Sequence, residues 1–87
     1  MKITATEKFK KDFSSLPEEV RKAASKQISQ LLLDHTHPSL RLENIEGHKG
    51  YFSARVNKRY RMALRFEKDD LIQLYRVLDH DEFYKSI

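Results

Sequence analysis

Apolar and polar positions alternate at the start of the chain. Ile3 and Ala5 fall on one face and Lys2, Thr4 and Thr6 on the other, the period of a short strand. The period then lengthens: Phe9, Phe13 and Leu16 recur at helical spacing behind Thr6, a residue suited to an N-cap. Pro17 suits the first turn of a second helix, and Glu18 and Glu19 stand near its positive end. Val20, Ala24, Ile28, Leu31 and Leu32 give that helix an apolar stripe running to about His35. Two such helices form a hairpin that covers one side of a sheet. From Thr36 to Gly50 no period holds, and Pro38, Gly47 and Gly50 mark a long connection, the kind of ordered loop that often carries function in a small domain.

The last third reads as strands. Tyr51 to Val56 alternates, Asn57-Lys58-Arg59 forms a turn, and Tyr60 to Phe66 alternates again. After a second turn at Asp69-Asp70, Leu71 to Leu78 is apolar on both faces apart from Gln73 and Arg76, as in a central strand. Asp79 to Ile87 suits a final helical turn capped by Asp79 or Asp81. The expected fold is α+β with order β-α-α-β-β-β-(α), an antiparallel sheet covered on one face by the helical hairpin, in a single domain over residues 1–87.

Period-two geometry divides the hairpin into faces. Phe52, Ala54, Val56, Tyr60, Met62, Leu64 and Phe66 point to the core, while Tyr51, Ser53, Arg55, Asn57, Arg59, Arg61, Ala63 and Arg65 point the other way. With the turn centred near Lys58, Arg55 lies opposite Arg61 and Tyr51 opposite Arg65. The second face is expected to be open, cationic and free of acids.

Charge sharpens this picture. The chain carries a net +4, and the positive excess is concentrated between Arg41 and Arg65, where seven basic residues meet two acids. Like charges opposed across strands cost a few tenths of a kcal/mol. Two readings of the face stand: a solvated exterior, or a surface for phosphate, whose geometry the planar arginine fork matches. The arginines and the lack of acids favour phosphate, and the polyanion expected is RNA.

The remaining composition sets limits. The absence of cysteine removes disulfides and thiolate metal sites, so the cytoplasm is the expected setting. No apolar run approaches the roughly 20 residues needed to cross a bilayer, and the N-terminus lacks a signal-peptide core, so no membrane role is expected. His80 ends the last strand and is of the side-chain type suited to general acid–base work, with Tyr84 one helical turn on. A plain surface histidine among acids is the alternative. His35 and His37 lack a third ligand for a metal, and His48 sits in the long loop.

These features together resemble the RelE/ParE superfamily of bacterial toxin–antitoxin toxins. The likeness rests on the opening strand, the helical pair from Phe9 to His35, and the segment Arg41-Leu42-Glu43-Asn44-Ile45-Glu46-Gly47. It continues through Gly50-Tyr51-Phe52-Ser53-Ala54-Arg55-Val56, the Tyr60-Arg61 pair and the ending Asp79-His80-Asp81-Glu82-Phe83-Tyr84. The resemblance implies a RelE-like microbial RNase-type fold. In the RelE, YoeB, HigB and YafQ-like branches it implies an endoribonuclease that cuts mRNA in the ribosomal A site by 2′-OH attack on the phosphate, with no metal or cofactor. By position, Arg61 matches the arginine on the scissile phosphate, Arg55 a basic or histidine position, His80 the C-terminal histidine of YafQ-like members or a basic residue in RelE, and Tyr84 the terminal aromatic. The expected catalytic set is Arg61 and Arg55, stabilising charge on the phosphoryl oxygens, with His80 and Tyr84 handling protons. Arg55, Lys58, Arg59, Arg61, Arg65 and Lys49 are the expected RNA contacts. Ser53 departs from the family, standing where RelE has a lysine, and leaves the general base unassigned. The implied partner is a cognate acidic antitoxin, with a heterotetramer on operator DNA as its repressing form. The ParE branch keeps the fold but inhibits DNA gyrase without nuclease chemistry.

Overall fold

The computed structural model describes residues 1–86. Its elements are β1 (Lys2–Ala5), α1 (Glu7–Ser14), α2 (Glu18–Leu33), a 3-10 turn (Pro38–Leu40), β2 (Glu43–Asn44), β3 (Tyr51–Arg55), β4 (Tyr60–Glu67), β5 (Leu71–Asp79) and α3 (His80–Ser86). Ile87, included in the expected final turn and domain, lies outside the described residues.

The local signals act as their chemistry suggests. Thr6 caps α1 by accepting from the Phe9 amide at 3.1 Å, and its hydroxyl donates to the Tyr75 carbonyl at 3.0 Å. Pro17 takes the N-cap position of α2, just ahead of the first turn. Asn57 closes the first hairpin turn by accepting from the amides of Arg59 and Tyr60. Asp69 and Asp70 both adopt positive φ, the left-handed pair whose twist suits a tight hairpin. Asp79 caps α3 by accepting from the Glu82 amide at 2.9 Å.

The sheet has five strands in the order β1-β5-β4-β3-β2. It is mixed, not wholly antiparallel as the alternation suggested, because β1 runs parallel to β5. Parallel neighbours need a long connection, and here nearly the whole chain intervenes. β5 is thus a central strand, as expected, flanked by β1 and β4. Beyond β1, its free edge is closed by α1: Asp12 accepts from the Val77 amide and pairs with the Arg76 guanidinium at 2.7 Å. β2, absent from the expected order, is two exposed residues paired with β3.

Register and faces in the β3–β4 hairpin follow the alternation, with Arg55 opposite Arg61 and Tyr51 opposite Arg65. Ala54, Val56, Met62 and Leu64 join Phe9, Leu16, Val20, Ala24 and Leu31 in the core between the sheet and α1–α2. Of the stripe expected on α2, Leu32 is exposed and Gln27 is buried in its place. A bulge leaves Tyr75 unpaired between the partners of Ala63 and Leu64, so Ile72, Leu74 and Val77 all reach the core despite their mixed parity.

The opposite face is not open. α3 folds back over it, and Phe83, fully buried, packs with Ile45 and Ala63 in a second cluster edged by Tyr51, Tyr75 and Leu78. No helix among the described residues is long and apolar enough to cross a membrane.

Candidate nucleic-acid interface

The arginines of the hairpin, alternate in sequence, do not share one surface. Arg61 is buried, 9% exposed, where an outward charge was expected. Its guanidinium reaches across β3: Nε and Nη2 donate to the Ser53 hydroxyl at 3.1 and 2.9 Å, and Nη2 also donates to the Arg41 carbonyl at 3.0 Å. Glu43 on β2 lies 3.3 Å from the same nitrogen. Ser53, which the resemblance sets where RelE has a lysine, is therefore the acceptor that holds Arg61. Nor is this face free of acids. Glu43 joins it through β2, and β4 runs one residue past Phe66, which places Glu67 on it as well.

Arg65 stands at the far end of the hairpin, 3.4 Å from Glu67 and 5.3 Å over the Tyr51 ring. Hydrogen bonding to Tyr51, then the charge of Glu67, raises its pKa further above the usual arginine value. Tyr75 sits edge-on to Tyr51 with ring centres 5.0 Å apart, and burial followed by its hydrogen bond to Tyr51 raises its pKa. Lys49 is exposed in the loop before β3, beside Gly50, whose positive φ carries the chain close past Arg65.

The other end of the hairpin has a different character. The His80 amide donates to the Arg59 carbonyl, tying the start of α3 to the β3–β4 turn. Lys58, Arg59, Asp79, His80 and Asp81 line a hollow of about 340 Å³ there. His80 is exposed, with Nδ1 3.9 Å from Asp81 and its ring edge-on to Tyr84 at 4.8 Å. Tyr84 is 55% exposed, as the (i, i+4) spacing on a short helix allows. The fold thus gathers His80, Tyr84, Lys58 and Arg59, and leaves Arg65 and Lys49 at a distance. Arg55 lines a separate groove beside α2. The Ser53–Glu43–Arg61 network was missed because β2 carries no periodic signal.

Residues 18–85 match the family model described as the ParE-like toxin domain. The chain belongs to the ParE-like toxin family. Its fold agrees with the RelE/ParE resemblance and is similar to that of the RelB–RelE antitoxin–toxin complex from Methanococcus jannaschii, at 24% identity and a TM-score of 0.73 over 95% of this chain and 96% of that one. The YoeB/ParE toxin from Agrobacterium tumefaciens gives a TM-score of 0.79 at 16% identity, over 92% and 99% of the two chains. The DinJ–YafQ toxin–antitoxin complex from E. coli gives 0.73 at 20% identity over 94% of each. At these identities the likeness is one of fold. Comparison with curated proteins finds no match.

Proposed function

We propose that this ParE-like chain is the toxin of a toxin–antitoxin pair and acts as an endoribonuclease on mRNA in the ribosomal A site. The observation that carries the reading is exposed His80, which lines a hollow shared with Lys58 and Arg59 and has the Tyr84 ring edge-on to it at 4.8 Å. Transesterification of RNA needs one proton taken from the 2′-oxygen, one given to the 5′-oxygen and charge on the phosphoryl oxygens stabilised, work that suits a histidine beside two cations. The 2′-oxygen attacks the adjacent phosphorus and loses its proton, and the bond to the 5′-oxygen breaks as that oxygen gains one. The products are a cyclic phosphate and a free 5′-hydroxyl. His80 handles a proton, Tyr84 orients the imidazole edge-on, and Lys58 and Arg59 stabilise charge on the phosphoryl oxygens. Arg61, its fork engaged by Ser53 and Glu43, acts from beneath by holding β3 and the Arg41 loop in place. Phosphate contacts position the strand, so little base preference comes from this chain.

The partner expected is an acidic antitoxin, in keeping with the RelB–RelE and DinJ–YafQ complexes among the similar structures. It would neutralise the cationic middle of the chain, and its encounter would slow with salt.

One observation favours gyrase inhibition as the second reading: Arg61, the arginine that the resemblance assigns to the phosphate, is occupied within the fold. Brief induction of the chain in cells separates the two. Translation arrest with new mRNA 5′ ends inside codons supports the nuclease. Continued translation with altered DNA supercoiling supports the gyrase reading.

A further inference from the structure

Most arginines in this molecule are satisfied internally. Arg21 donates to the Leu16 carbonyl, Arg61 to Ser53 and Arg41, and Arg76 to Asp12, while Arg65 pairs with Glu67. Among the described residues, the guanidinium groups of Arg41, Arg55 and Arg59 make neither a hydrogen bond nor an ion pair. Arg59 belongs to the His80 hollow. The other two line one groove of about 530 Å³, together with Lys26 of α2, and no acid lines it.

The walls of this groove are cross-braced. Gln27, buried on α2, donates from Nε2 to the carbonyls of Ser39 at 3.0 Å and Arg55 at 2.9 Å, which joins the helix, the 3-10 turn and the end of β3. Arg41 holds a left-handed backbone (φ 44°), uncommon for a side chain with a Cβ. Its amide bonds to Pro38 and its carbonyl receives the Arg61 fork. Two buried polar side chains, Gln27 and Arg61, thus fix the backbone of Arg55 and Arg41, whose own guanidinium groups are left unpaired. Such a groove is preorganised for an anion.

We propose that Lys26, Arg41 and Arg55 form a second phosphate-binding subsite that holds the RNA backbone outside the His80 hollow. The inference rests on the RNA reading above. A phosphodiester chain is favoured as occupant because the cations lie along an open groove, and because Arg55 and Arg59 flank the same turn. The hollow and the groove take wall residues from the two sides of that turn. Arg55 then anchors substrate and takes no part in the bond-breaking step.

The test is binding of a fluorescent single-stranded oligoribonucleotide across a salt series, with a glutamate-rich peptide of equal charge in parallel. Lys26→Gln/Arg55→Gln is compared with Lys8→Gln/Lys11→Gln, a control of equal charge on α1. The groove variant is expected to bind RNA about tenfold or more weakly, with the salt slope flattened by about 0.7 for each phosphate that it no longer neutralises. The control should bind as the wild type, and both should unfold at the wild-type temperature. Equal RNA binding by the two variants would overturn the subsite, as would a loss confined to the peptide or an absence of RNA binding by the wild type. Groove-dependent binding in a chain that leaves ribosome-bound mRNA uncut would support the subsite and overturn only the cleavage reading.

Discussion

On the sheet face turned to α1 and α2, Met62, Leu64, Ile72 and Val77 pack into one continuous apolar core. On the other face, Ser53, Arg61 and Ala63 are equally buried, but beneath a thin cover made of α3, the 41–50 segment and an arginine network. The same strands make both. Alternation decides which side a residue takes. Whether that side meets water is decided by what folds back over it, here Phe83 and Ile45 from segments with little periodicity. The lesson for the cationic hairpin is that an odd-numbered arginine can be a strut at one position, a groove wall at another and the wall of a hollow shared with His80 at a third.

Substitutions on the two faces should differ in kind. Leu64→Ala empties space in the main core and should cost about 2–5 kcal/mol of global stability, read by urea unfolding. Phe83→Ala removes an equally buried side chain from the small cluster. It should cost only about 1–2 kcal/mol globally, because α3 can open alone. Hydrogen exchange should then show the α3 amides exposed and those of β4 and β5 protected. Global unfolding by Phe83→Ala would erase the distinction between the faces.

Arg61→Ala tests the strut. Losing a charged donor to Ser53 and the Arg41 carbonyl should cost about 1.5–3 kcal/mol, and Arg61→Lys, which lacks the fork, should recover only part of it. An alanine variant as stable as the wild type would return Arg61 to the role of a free surface charge.

The smallest effect concerns Tyr75. Its raised pKa means that below the ordinary tyrosine value of about 10 both folded and unfolded chains hold the proton, and stability is complete. As pH rises through 10 towards the folded pKa, the unfolded chain ionises first and stability falls. Tyr75→Phe should flatten that part of a melting-temperature profile. An unchanged slope would place Tyr75 outside the linkage.

Much of this was legible in the chain. The hairpin register, the caps at Thr6 and Asp79 and the Asp69-Asp70 turn all express local rules that a few residues satisfy on their own. So does the His80–Tyr84 pairing, which is helical spacing and nothing more. What stayed hidden depends on distant partners. The parallel β1–β5 pair needs a contact across almost the whole chain. Glu43 reaches Arg61 only through a two-residue strand, and Lys26 joins Arg41 and Arg55 only once α2 has packed. No window of sequence contains those sets.

The central claim is that the His80 hollow breaks RNA. Single-turnover cleavage of ribosome-bound mRNA, with ribosome binding followed in parallel, tests it most directly. The wild type should yield fragments with free 5′-hydroxyls. His80→Gln, which hydrogen-bonds but does not titrate, should cut about 10²–10⁴-fold more slowly while binding is retained. Cleavage by His80→Gln at the wild-type rate, or intact mRNA beside a wild-type chain that inhibits gyrase, would contradict the account.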